Sequence, residues 1–168
     1  NFVVLLYIFI DNIHMVNVPV RYVPSTLSSE DKIKQAKYLK TSRKAYRKGK
    51  CKTRKKVDSF RSKESPHITK ARKMYNVSKI KPSRQLAKAT KCSLKGLKRM
   101  VSKGKGAYYS SGSRPNQTAH SWGYARMASE IKDEKASAVD FHIIQEECSK
   151  NSKALRLARK EKKKKKKG

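Results

Sequence analysis

The chain has 168 residues, of which 44 are Lys or Arg and 12 are Asp or Glu, for a formal net charge of +32. Its 36% hydrophobic and 33% charged residues exclude a large buried interior and leave material for one small core with long basic appendages. Self-repulsion on that scale opposes compaction unless something negative offsets it. Nucleic acid is the first expected partner, and anionic lipid headgroups and acidic protein surfaces obey the same electrostatics.

Phe2 to Ile10 form an apolar run well short of the roughly 20 residues that cross a bilayer as a helix. No basic residue precedes it and no small-residue cleavage signal follows, so it reads as a buried strand or an extended arm laid on a partner. Met15 opens a plausible natural beginning, MVNVPVRYVP, and residues 1–14 then read as an upstream extension or as the remains of a longer chain. The valines of VNVPVRYVP alternate, but Pro19 and Pro24 confine the segment to an extended arm or edge strand, with Val18, Val20 and Tyr22 as its contact residues.

Helical signals follow. Ser28 and Asp31 have capping-box spacing, Ile33, Ala36, Leu39 and Tyr46 give a thin apolar stripe, and Gly49 supplies a stop. Lys50 to Glu64 shows no period and reads as a charged linker. Ser65-Pro66 starts a short amphipathic helix carrying Ile68, Ala71, Met74 and Tyr75, and Pro82-Ser83 starts another with Leu86 and Ala87. Leu94, Leu97, Met100 and Val101 mark a further helix that is expected to stop at Gly104. Helices are expected again over 121–132 (Trp122, Ala125, Ala128, Ile131) and 139–148 (Val139, Ile143, Ile144). The tail ends in six consecutive lysines, including Lys162, Lys163 and Lys164, and reads as disordered or as a fraying helix that orders against something negative.

The fold class is therefore mainly α: a small irregular helical domain with an extended amino arm and a basic tail. Its division is an arm over 1–27, a basic helix and linker over 28–64, a helical core over 65–148 that contains an aromatic Gly/Ser-rich segment at 104–129, and the tail over 149–168.

Three dispersed cysteines (Cys51, Cys92, Cys148) without a CxxC give no disulfide framework and point to a reducing compartment. His14, His67, His120 and His142 have no zinc-ligand spacing, and no metal or other cofactor is expected. Between Ser65 and Ser129 lie 15 Lys or Arg and no Asp or Glu, so neither a two-metal nuclease centre nor a carboxylate acid/base pair can be built from that segment. Tyr108, Ser110, Arg114 and His120 are candidates for a phosphate-handling cluster. The stronger expectation is that Tyr108, Tyr109, Trp122 and Tyr124 form a rigid aromatic core or protein-contact patch with Arg114, while Asn116 or Thr118 caps the next helix. No nucleophile has an evident base, and the chain reads as no enzyme.

SRQLAKATKCSLKGLKRMVSKG has helix-turn-helix spacing, although two short packed helices give the same pattern and Lys91 stands where the turn favours glycine. The outward residues of its second helix are Lys95, Lys98 and Arg99, which suit phosphate contact better than base reading. Six of the 12 carboxylates fall between Glu130 and Glu147. They read either as an acidic face that pairs within the molecule or with a neighbouring copy, or as an ordinary solvated helix face.

From about Val18 to Cys148, and most sharply in KGKGAYYSSGSRPNQTAHSWGYARMAS and the following KASAVDFHII, the sequence resembles a family of small basic proteins of unassigned function encoded by large DNA viruses of algae and amoebae, such as chloroviruses and mimivirus relatives. The resemblance implies a virion-associated protein and carries over no catalytic residue. Two functions follow as expectations. The first is a minor capsid protein, a cement or linker on the inner face of an icosahedral shell. It is made in the host cytoplasm and contacts the major capsid protein, other minor capsid proteins and an anionic inner membrane surface. The second is an architectural protein that neutralises packaged DNA without reading its sequence. The uncharged aromatic segment and the apolar arm favour the first.

Overall fold

A computed structural model describes residues 18–132 and 135–167, with the side chains of Lys135 and of residues 165–167 left aside. Eight helices and no strand occur among the described residues, in keeping with the mainly α expectation. They fall into two compact units. The first takes the described residues up to Ser62 together with Ala107–Thr118, and the second takes Lys63–Gly106 and the residues from Ala119 onward. The aromatic segment at 104–129 is thus shared between the units.

In the first unit, helix α1 (Ser29–Arg47) begins where the Ser28 hydroxyl accepts from the Asp31 amide at 3.2 Å. Asp31 does not close the box. Its carboxylate instead takes the Ser59 amide at 2.8 Å and the Ser59 hydroxyl at 2.6 Å, and those bonds hold it below its ordinary value. The buried face of α1 is Asp31, Gln35, Leu39 and Ser42, mostly polar, while Ile33 and Tyr46 from the expected apolar stripe are 44% and 37% exposed. The inward polar groups are satisfied by backbone. Gln35 Nε2 donates to the Tyr22 and Ser113 carbonyls at 2.9 and 3.3 Å, and the Ser42 hydroxyl donates to the Lys52 carbonyl at 3.0 Å.

The described part of the amino arm is a single 3-10 turn at Val20–Tyr22, followed by a turn that leads to buried Leu27. Of the two alternatives for the arm, the edge strand does not form among its described residues. Val20 is 83% exposed, Val18 is half-buried, and Tyr22 is turned into the unit at 5% exposure. The turn replaces the strand because Pro19 lends its carbonyl to the Tyr22 amide at 2.8 Å. Residues 1–17 lie outside the described residues. Gly112, at φ +108, runs so close to Leu39 and Tyr22 that a Cβ there would stand 2.6 Å from Leu39 Cδ2.

In the second unit, α2 (Pro66–Tyr75), α3 (Arg84–Thr90), α4 (Leu94–Ser110, as far as Gly106), α5 (Ala119–Ile131), α6 (Lys135–Val139), α7 (Phe141–Glu147) and α8 (Lys153–Lys167) surround one core. That core joins Tyr75, Leu86, Leu97, Met100, Met127, Ile131, Ile143, Ile144 and Leu155. Serine caps open several of these helices: Ser65 accepts from His67, Ser83 from Leu86, Ser93 from Gly96 and Ser152 from Leu155. Asn76 and Lys91, both left-handed, end α2 and α3.

Three boundaries differ from expectation. Helix α4 runs through Gly104 to Ser110, because Gly104 is a contact residue and not a stop: a Cβ on it would lie 2.6 Å from Gly123 Cα in α5. The helix expected at 139–148 runs over Phe141–Glu147, and Val139, 58% exposed, instead ends a separate short helix before Asp140. The segment from 149 contributes to the core through Ala154, Leu155 and Ala158, and the helical alternative for the lysine tail extends to Lys167.

The largest correction concerns cysteine. Cys92, in the turn before α4, is bonded to Cys148, at the end of α7, across a sequence separation of 56. The two residues also form an isolated antiparallel bridge, flanked by Ser93 N to Glu147 O at 2.7 Å and Ser149 N to Lys91 O at 2.9 Å. Neither cysteine has a nearby partner in sequence, so only tertiary folding pairs them, and the cysteine count no longer argues for a reducing compartment. Cys51 is free and exposed.

Candidate nucleic-acid interface

The expected helix-turn-helix residues lie on α3, the turn and the start of α4, all within the second unit. Lys95 and Lys98 are exposed. Arg99 is committed elsewhere: its Nη1 is 2.7 Å from both Glu146 Oε2 and Glu147 Oε1, and these bonds raise its basicity. Glu147 also accepts from the Ser93 hydroxyl at 2.5 Å, the main reason its carboxyl is held below the usual range. The phosphate-contact set therefore reduces to Lys95 and Lys98, because Arg99 ties α4 to the end of α7.

On α8, Lys163 is exposed, the Lys162 ammonium lies 4.1 Å from the centre of the Phe141 ring, and Lys164 pairs with Glu161. Arg156, Arg159 and Lys160 are exposed on the same helix. The buried positions 154, 155 and 158 fix its inner face, so Arg156, Arg159, Lys160 and Lys163 point to solvent.

The aromatic segment is organised by a residue that the sequence hid in the charged linker. Arg54 lies with its guanidinium carbon 3.6 Å from the centre of the Tyr108 ring. Its Nη1 donates to the Tyr108 carbonyl at 2.9 Å and the Ser42 hydroxyl at 3.1 Å, and its Nη2 donates to the Ser113 hydroxyl at 2.7 Å. Desolvation lowers its pKa, while the neighbouring tyrosine hydroxyls, Tyr108 first, oppose the shift. Asn116, at φ +58, does not cap the following helix. Its side chain holds the linker instead, taking the Val57 amide at 2.8 Å and donating to the Val57 and Phe60 carbonyls at 2.8 and 2.6 Å. The signal available in sequence was an arginine, a valine and a phenylalanine inside an otherwise solvated run.

Of the four aromatic residues expected as a core, only Tyr108 is fully buried. Tyr109, Trp122 and Tyr124 are half-buried, and Arg114 is exposed. Tyr108, Ser110 and Arg114 belong to the first unit and His120 to the second. With its ring at 0% exposure, Tyr108 cannot meet a phosphate, so the phosphate-handling cluster is not assembled as expected.

The described carboxylates of the second unit pair within the chain. Glu130 is 0% and Asp140 4% exposed, and Arg126 bonds both, through Nε to Glu130 Oε1 at 2.8 Å and through Nη2 to Asp140 Oδ2 at 2.5 Å. Burial and the Asp140 carboxylate push Glu130 up to about 9, so it is a neutral acid at pH 7. Its second oxygen, Oε2, is buried without a hydrogen-bond partner. Burial alone would raise Asp140 as well, but the bonds from Glu130 and Arg126 outweigh it and hold that carboxyl below its ordinary value, with Lys103 adding to the effect.

A pH prediction follows. The unfolded chain ionises Glu130 above the ordinary value of 4.5, whereas the folded chain keeps its proton to about 9. The stability that this group contributes is complete at low pH and falls as pH rises through that window. Glu130→Gln, which keeps a donor and an acceptor, should match the wild type at pH 4 and gain on it steadily toward pH 9. Parallel melting curves at every pH would show that Glu130 is ionised in the fold.

Among the described residues no group of three or more His, Cys, Asp or Glu could hold a metal ion, and no helix is long and apolar enough to cross a membrane. What the fold and surface define is a small, disulfide-bridged helical protein that buries Asp31, Glu130 and Asp140 and exposes many of its lysines. The chain belongs to a family of unknown function (DUF5824), whose profile matches residues 19–165. No curated protein and no solved structure matches it.

Proposed function

We propose that the chain is a non-enzymatic structural protein that binds nucleic acid through phosphate contacts without reading sequence. The observation that carries this is the fate of the two charges. Glu30, Asp31, Glu64, Glu130, Asp140, Glu146, Glu147 and Glu161 each take part in an ion pair within the chain. Exposed cations such as Lys95, Lys98, Arg156, Arg159, Lys160 and Lys163 are left facing outward. A surface with that surplus attracts a polyanion, and release of condensed counterions makes such binding favourable and salt-dependent. Of the six carboxylates between Glu130 and Glu147, Glu130, Asp140, Glu146 and Glu147 pair within the chain, which favours the internal-pairing alternative for that stretch.

The capsid-linker reading drew on the aromatic segment and the apolar arm. The segment turns its most buried ring inward onto Arg54 and the described arm turns Tyr22 into its own unit, so nucleic acid is the reading carried forward.

The test is a salt titration of duplex binding. Lys95→Ala with Lys98→Ala should reduce the slope of log K against log salt by about 0.9 per lost contact, or roughly 1.8 for both, alike on unrelated sequences. Absence of binding at low salt would overturn the proposal. An unchanged slope would move the contacts from α4 to other cations such as those of α8.

A further inference from the structure

Helix α1 ends in an exposed aromatic ring. Tyr46 is 37% exposed, and its ring lies 6.0 Å from that of Tyr109 with the two planes only 14° from parallel. The pair rests on a fixed base. Tyr109 meets Tyr108 edge to face at 5.0 Å and 88°, and Tyr108 is fully buried beneath the Arg54 guanidinium. Two rings held parallel by this chain of contacts keep their orientation without a ligand, so a flat molecule that stacks on them has little ordering to impose.

The sequence around Tyr46 is strongly cationic. Lys40 to Val57 contains ten Lys or Arg and no Asp or Glu, and of these Arg54 is the one directed onto Tyr108. Arg47 and Lys48 follow Tyr46 directly. Gly49, at φ +74, then folds the chain back so that the Lys50 amide donates to the Ala45 carbonyl at 3.0 Å. Arg47, Lys48, Lys50 and Lys52 are all exposed around the helix end.

An aromatic face ringed by cations matches one ligand chemistry in particular: a flat nucleobase joined to a phosphate backbone. A duplex keeps its base faces within its own stack, so only an unpaired strand can offer one. Resting on the nucleic-acid reading above, we propose that Tyr46 and Tyr109 form a base-stacking platform in the first unit, which makes single-stranded nucleic acid the preferred partner of this chain.

The experiment compares the full chain and its variants on a single-stranded oligothymidylate, the corresponding oligouridylate and a duplex with the same number of phosphates, by fluorescence anisotropy at fixed salt. Tyr46→Ala should lose roughly five- to a hundredfold in affinity for the single strands, the loss expected from about 1–3 kcal/mol per stacked base, and keep its affinity for duplex. Tyr46→Phe, which keeps the ring, should bind like the wild type. Tighter binding of thymidylate or of uridylate identifies the strand as DNA or RNA. Photocrosslinking of wild-type protein to a single strand bearing iodouracil should label Tyr46 or Tyr109. Equal losses on strand and duplex, no loss with Tyr46→Ala, or crosslinks confined to other residues would overturn the platform while the phosphate-binding reading stands. Failure of the wild type to bind any of the three would overturn both.

Discussion

Tyr108→Ala should cost the first unit about 3–5 kcal/mol, enough to unfold it at ordinary temperatures. The ring is at 0% exposure, so its removal leaves a cavity that irregular neighbours fill only in part. It also strips the π face from Arg54, whose guanidinium lies 3.6 Å from the ring centre. What remains is a desolvated cation held by neutral acceptors, the Tyr108 carbonyl and the hydroxyls of Ser42 and Ser113. Tyr108→Phe keeps ring and cation together and loses only a long 3.4 Å bond from the Arg54 amide, so it should melt close to the wild type. Trp122→Ala should cost less than Tyr108→Ala, because Trp122 is half-buried. Circular dichroism melts of the three variants check the ranking. If Trp122→Ala proved the most damaging, the aromatic segment would be organised around α5 and not around Arg54.

Why the sequence located Tyr108 but not its partner has a physical reason. Capping and periodicity are local, and Ser28, Ser65 and Ser83 announced the starts of α1, α2 and α3 within a residue. Leu86, Leu97, Met100, Ile131, Ile143 and Ile144 are buried as their spacing required. The reading failed where a residue type took a tertiary role. Gly104 resembled a helix stop but permits the approach of Gly123, and the inner face of α1 is polar because the backbone it meets offers carbonyls and amides instead of side chains. Arg54 looked solvated amid lysines. Of the interface, Lys95 and Lys98 were legible as outward positions of α4, whereas the capture of Arg99 by Glu146 and Glu147 spans 47 and 48 residues and leaves no periodic trace. Tyr46 was placed on the inner stripe of α1, and its exposure is what makes it available for stacking.

Loss of the Cys92–Cys148 bridge should lower stability by about 4 kcal/mol on the chain-entropy account of closing a loop of this length. The loop spans 56 residues and encloses α4, α5, α6 and α7, so in the reduced unfolded chain all of that sequence gains freedom that the bridge denies. For a chain of this size the loss corresponds to a fall of roughly 10 °C in melting temperature. The native fold does not rest on the bridge alone. Ser93 N to Glu147 O, Ser149 N to Lys91 O and the Arg99 pairs join the same two places, so the reduced protein should still fold, with both cysteines shielded in the core. Melting with and without reductant tests this against Cys92→Ser with Cys148→Ser, which should melt like the reduced wild type and be indifferent to reductant. Cys51→Ser should behave as wild type, since Cys51 is exposed and unbridged. A native protein that titrates with three free thiols and melts identically in either buffer would show that the two sulfurs lie together without bonding, leaving hydrogen bonds and ion pairs to hold the turn before α4 against the end of α7.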